Sequence, residues 1–106
     1  MKKIFKQSLG HTKGTVELEI PKNSAILAVK EQRGEVVVYY LCDPDEKETY
    51  HFKFHLFETG EDLSESIDSL SYLKTVFLFG GEYVLHVFVD LCALEERLKT
   101  QESETV

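Results

Sequence analysis

The four histidines are the side chains here best suited to binding or acid–base work, and their spacing limits what they can do. His51 and His55 stand at i and i+4. On a strand that spacing puts both rings on one face about 13 Å apart, too far to share a metal ion directly. His86 lies inside an apolar run and His11 in a turn. The chain has no HExxH and no HxxxH on a helical stretch. Cys42 and Cys92 form no CxxC or Cys/His metal spacing and read as small core hydrophobes rather than thiolates. A GxSxG nucleophile elbow is absent, and the serines sit in polar loops. Gly80-Gly81 lacks the GxxxxGK[ST] frame and precedes a strand rather than a helix, so it is not a phosphate loop. The carboxylate pairs Asp43/Asp45 and Glu61/Asp62 occur only in turns. These patterns point to no catalytic residue, no metal and no cofactor. Candidate ligand contacts are His86, Thr75, Tyr72, His51, Lys53, His55, Thr59 and Gly60.

The element that must position most of these residues is the stretch 72–90, YLKTVFLFGGEYVLHVFVD. It reads as two strands joined by Gly80-Gly81, because a two-residue primed turn needs positive φ at both positions and glycine adopts it without steric cost. That turn sets Phe79 against Glu82, Phe77 against Val84, Thr75 against His86 and Leu73 against Phe88. The opposite face carries Val76 with Leu85, Leu78 with Tyr83 and Lys74 with Val87. Both faces are largely apolar, which predicts a ribbon covered on both sides. In this register the Thr75 hydroxyl reaches the His86 imidazole across the strands. His86 then reads as a neutral histidine that fixes register, or as a polar contact pointing into a ligand pocket.

Ahead of this hairpin the pattern is also that of strands. Residues 4–9 form a short strand ended by Gly10, and residues 15–20 alternate strictly with Val16, Leu18 and Ile20 inward. The stretch 10–14 then predicts a turn between two antiparallel neighbours, and Pro21 stops the second strand. Residues 25–32 and 35–42 make a second hairpin around Arg33-Gly34, in preference to a helix capped by Ser24. The valine and tyrosine run of its second arm suggests a central strand. Asp43-Pro44-Asp45 is turn chemistry. In the next strand Tyr50, Phe52, Phe54 and Leu56 point one way, and Thr49, His51, Lys53 and His55 the other. A polar link follows, with room for one helical turn on Leu63, Ile67 and Leu70. After Asp90, the spacing of Leu91, Leu94 and Leu98 predicts an amphipathic helix over 91–99 and a frayed end. The expected fold is all-β, an antiparallel sandwich or small open barrel of about seven strands with a short C-terminal α-helix. Residues 1–90 form one β domain and 91–106 the helix and tail.

Length and charge agree with a single domain of ordinary composition. At 106 residues and a net charge of −7, the chain disfavours non-specific nucleic-acid binding, which relies on Lys and Arg contacts to phosphate. No apolar run approaches a membrane span, and no apolar core follows Lys2 and Lys3 as in a signal peptide. The expectation is a cytoplasmic chain with reduced thiols.

Several fragments in order resemble a known family. Residues 25–29, AILAV, are followed by Glu31-Gln32 and Gly34, then by Leu41-Cys42-Asp43-Pro44, Thr59-Gly60, Tyr72, Gly80-Gly81 and His86-Val87-Phe88. This pattern, covering roughly 3–89, resembles a family of small uncharacterised phage and prophage proteins known only as a domain of unknown function. Cys42 departs from it, since valine is usual there, and so does the segment after Asp90. The resemblance implies expression in a host bacterial cytoplasm and carries over no catalytic residue. With the absent catalytic motifs, it suggests a small non-enzymatic binder that counteracts a bacterial defence system by sequestering a small signalling nucleotide, and that is a homo-oligomer. The alternatives are a protein–protein inhibitor or accessory factor acting on a host defence protein, and a minor structural phage protein.

Overall fold

A computed structural model of the chain describes residues 1–90, and of Glu65 the backbone only. Among these residues there are seven strands: β1 (Lys3–Gly10), β2 (Gly14–Pro21), β3 (Ala25–Gln32), β4 (Glu35–Cys42), β5 (Thr49–Glu58), β6 (Leu70–Leu78) and β7 (Tyr83–Asp90). They form two antiparallel sheets, one of order β1-β4-β3 and one of order β2-β5-β7-β6, and the two do not close into a barrel. A 3₁₀ turn, Glu65–Ser69, leads into β6. Among the described residues no helix is long and apolar enough to cross a membrane. The helix expected over 91–99 lies outside the described residues.

One hydrophobic cluster joins the sheets. The three-stranded sheet supplies Leu9, Val29, Val36, Val38, Tyr40 and Cys42. From the four-stranded sheet come Ile20 on β2, the inward side of β5 from Tyr50 to Leu56, and the inward residues of the β6–β7 hairpin. The alternation of β5 is realised as read: Tyr50, Phe52, Phe54 and Leu56 are buried, whereas His51 and His55 are half-buried and Lys53 exposed. β4 is the centre of its sheet, and Val37 is buried on its second face as well. Cys42 is buried at its end.

The stretch 10–14 does not join hydrogen-bonded neighbours. β1 pairs with β4 and β2 with β5, so the chain crosses between sheets there. Turn residues specify a reversal but not the partner. For β2 the partner is decided by side chains: Val16, Leu18 and Ile20 meet Phe54, Phe52 and Tyr50, while Glu17 and Glu19 meet Lys53 and His51. Each such cross-strand pair contributes about 0.2–1 kcal/mol.

In the β6–β7 hairpin the predicted register holds at Leu78–Tyr83, Phe77–Val84, Val76–Leu85, Thr75–His86 and Lys74–Val87. Gly80 and Gly81 have φ of 69° and 93°, and the Glu82 amide donates to the Phe79 carbonyl over 3.3 Å, which is the primed turn. Phe79 and Glu82, expected as a ladder pair, instead belong to the turn, with φ of 53° at Phe79. A bulge between Tyr72 and Lys74 puts Phe88 opposite Tyr72 and not Leu73. Leu73 thereby packs against the core cluster. Coverage of the hairpin on both faces is also corrected. Its inner face is buried at Val76, Leu78, Leu85 and Val87, but on its outer face Tyr72 is 57% and Phe77 62% exposed.

Candidate functional site

Among the described residues no layer covers the outer face of the four-stranded sheet, and that face gathers most of the candidate ligand contacts. Strand alternation and the antiparallel registers set Thr15, His55, Phe88 and Tyr72 in one row across β2, β5, β7 and β6. The next row holds Phe57, His86 and Thr75, and the one after it Val84 and Phe77. A bulge in β6 brings Tyr72 within reach of this layout, because without it Tyr72 would fall out of phase with Phe88.

A chain of hydroxyls passes through the centre. The Tyr72 hydroxyl lies 2.7 Å from Thr75 Oγ1, which lies 2.9 Å from His86 Nδ1, and His86 Nε2 lies 2.8 Å from Thr59 Oγ1. A neutral imidazole has one N–H donor and one bare acceptor nitrogen, and a hydroxyl can serve either. Both nitrogens are therefore satisfied without a charge, and the ring is fixed between two strands and the loop after β5. This arrangement orients His86 and Tyr72. It contains no carboxylate and no activated nucleophile.

Around this chain the rings meet edge to face. Phe57 and Phe88 have centroids 5.6 Å apart, and Tyr72 and Phe88 5.5 Å. His55 stacks on Phe57 at 6.1 Å, and its Nδ1 lies 3.2 Å from Thr15 Oγ1. Such geometries contribute about 0.5–1.5 kcal/mol per aromatic pair beyond area burial. The result is a surface of aromatic rings packed against one another.

Beside it a cavity of about 440 Å³ lies between β5 and the connection to β6, walled by Phe57, Ile67, Leu70 and Asp90, with Glu61 and Asp62 at its rim. Among the described residues no Lys or Arg lines it. Among the same residues no group of three or more His, Cys, Asp and Glu side chains is placed to hold a metal ion.

The other predicted residues fall elsewhere on the same face. His51 is held between two carboxylates, with Nδ1 2.9 Å from Glu17 and Nε2 3.0 Å from Glu19. Lys53 stands opposite Glu17, away from the aromatic rows. Gly60, at φ 84°, turns the chain after β5 and thus carries Thr59 towards His86. The sequence reading missed Phe57, Glu17, Glu19 and Thr15. Extending the alternation of His51, Lys53 and His55 by two residues would have found Phe57. The acidic pair required knowing that β2 neighbours β5.

At the hairpin end of the sheet, on its inner side beside Leu78, partial burial and then a hydrogen bond to Glu58 raise the Tyr83 phenol above its ordinary 10.0. Glu58 also lies 3.6 Å from Lys13 Nζ. Because the folded-state value is the higher one, the folded chain binds this proton more tightly than the unfolded chain. Its stabilisation is thus present below about pH 10 and lost as pH rises through the raised value. Thermal melts are expected to show Tyr83→Phe losing less stability between neutral and strongly alkaline pH than the parent. Equal losses would exclude the Tyr83–Glu58 contact as the cause.

The sequence profile of a domain of unknown function, DUF7352, matches residues 1–96. The chain belongs to the DUF7352 family. That match spans all seven described strands of this DUF7352 chain and every row of the aromatic face. No curated protein and no solved structure matches the chain.

Proposed function

We propose that this DUF7352 chain is a non-enzymatic binding protein that engages a protein partner through the outer face of its four-stranded sheet. The observation that supports this reading is the exposure of Tyr72 and Phe77, 57% and 62%, on a face already ordered by Phe57, Phe88 and the Tyr72–Thr75–His86–Thr59 chain. Tyrosine and phenylalanine have only two χ angles each and so bury large area on association at low entropic cost, which is how binding hot spots work. In a phage setting and a host bacterial cytoplasm, such a chain acts as an inhibitor or accessory factor on a host defence protein.

Sequestration of a small signalling nucleotide is the second reading. The aromatic rows favour it, since bases stack on exposed ring faces. Glu61, Asp62 and Asp90 around the neighbouring cavity oppose phosphates, which is why a protein partner is preferred.

The test compares the parent chain with the double variant Tyr72→Ser, Phe77→Asp. Phe77 is exposed, and its change is expected to alter folding stability by no more than about 0.5 kcal/mol. Tyr72→Ser also removes the ring contact with Phe88 and is expected to cost about 0.5–1.5 kcal/mol, so circular dichroism on the double variant checks that the fold is kept. A protein retained from host lysate by the parent and lost by the double variant supports the reading. Retention by both removes this face from the function. Calorimetry against cyclic and ADP-ribose-type nucleotides separates the second reading, because heat that disappears in the double variant would put a nucleotide on this face instead.

A further inference from the structure

The four sheet edges differ in a way that selects a partner. An unpaired edge strand is a template for another strand, and bulges are one device that blunts it. Three of the edges carry a bulge, but at different places: the β3 ladder shifts register between Ile26 and Ala28 and the β6 ladder between Tyr72 and Lys74, each near the start of its strand, whereas the β1 ladder shifts only at its end, between Ser8 and Gly10. β3 and β6 approach each other where the sheets meet. Only β2 is unbroken throughout, and β1 is straight over most of its length. β1 runs in continuous register from Lys3 to Ser8, and β2 from Gly14 to Pro21. Neither has a second strand partner among the described residues.

The β1 and β2 edges carry opposite charge. β1 contributes Lys3 and Lys6 and no acidic residue, whereas β2 contributes Glu17 and Glu19 and no basic one. Their apolar residues are also left incomplete. Phe5, on the core-facing side of β1 beside Tyr40, is 40% exposed, and Val16 and Leu18 on β2 are only partly buried.

We infer that the partner of the β1 edge is the β2 edge of a second copy of this chain. In an antiparallel pairing that sets Phe5 opposite Leu18, side-chain phase places Lys6 opposite Glu17 on the outer face. Gln7 then meets Val16 on the inner face. The two faces agree because Phe5 shares the side of Tyr40, and Leu18 the side of Phe52. Glu17 and Glu19 each use one oxygen, Oε1, on His51, so the second oxygen of Glu17 serves the incoming lysine. β1 pairing with β1 would instead crowd lysines along one seam, and β2 with β2 would crowd glutamates, both of which are disfavoured. The inference is independent of the binding face proposed above, which lies on the sheet surface and not on its edges.

Charge exchange tests it. The parent is expected to sediment as a dimer or larger assembly that weakens as salt is added. Lys6→Glu alone and Glu17→Lys alone, both at exposed positions, are each expected to weaken self-association about ten-fold or more. An equimolar mixture of the two variants is expected to recover mixed assemblies, because the reversed charges of one variant again face opposite charges on the other. Circular dichroism on each variant checks that the fold is kept. A monomeric parent, or single variants that associate as well as the parent, would overturn the inference. So would association lost in both variants and not recovered on mixing.

Discussion

Replacing Phe54 with alanine is expected to lower the melting temperature by about 15–30 °C, near the limit that a domain of this size survives. Phe54 is fully buried at the middle of β5, paired with Val16 on one side and Val89 on the other. Truncation removes its transfer energy and leaves a cavity between both neighbouring strands, together about 3–5 kcal/mol. Sheet registers on either side leave little room for collapse, because β5 is an inner strand of its sheet. A loss below about 1 kcal/mol in denaturant unfolding would mean that the two sheets do not share this core. The exposed Phe77 is the internal control, since the same truncation there removes little buried surface.

Gly81→Val is expected to cost about 1–3 kcal/mol, and the cause is the backbone alone. At φ 93° a β-branched residue is strained, while a Cβ added there meets no atom within 4 Å. Strain and crowding are thus separable in this hairpin. Gly34, at φ 82°, would bring its Cβ to 3.2 Å from Phe79 Cε1, but that ring is exposed and free to give way. Alanine at the two positions is therefore expected to cost similar amounts. A Gly81→Val chain that melts at the parent temperature would rule out the primed turn.

Nearest-neighbour chemistry was readable without coordinates. Glycine pairs fix a primed turn locally, so the Gly80-Gly81 hairpin and the Thr75–His86 contact follow from the residues themselves. Alternation with period two likewise separates Phe54 from His55 before any partner is known. Membership of a domain family of unknown function was expected and is shown by the match over residues 1–96, whereas the order of short motifs and a phage origin are not part of what that match shows.

Three features were decided only by the tertiary structure. The bulge that sets Tyr72 against Phe88 is one, since a single extra residue in a ladder leaves no mark in a β-rich run. The separation of β1 from β2 into different sheets is another, because the stretch 10–14 carries turn signals compatible with either topology. The third is the uncovered outer face. An apolar strand face reads the same in sequence whether another layer or solvent lies over it, and only the placement of the three-stranded sheet on the opposite side left Tyr72 and Phe77 exposed. Sequence determined which residues share a face; long-range packing determined which face is left exposed among the described residues.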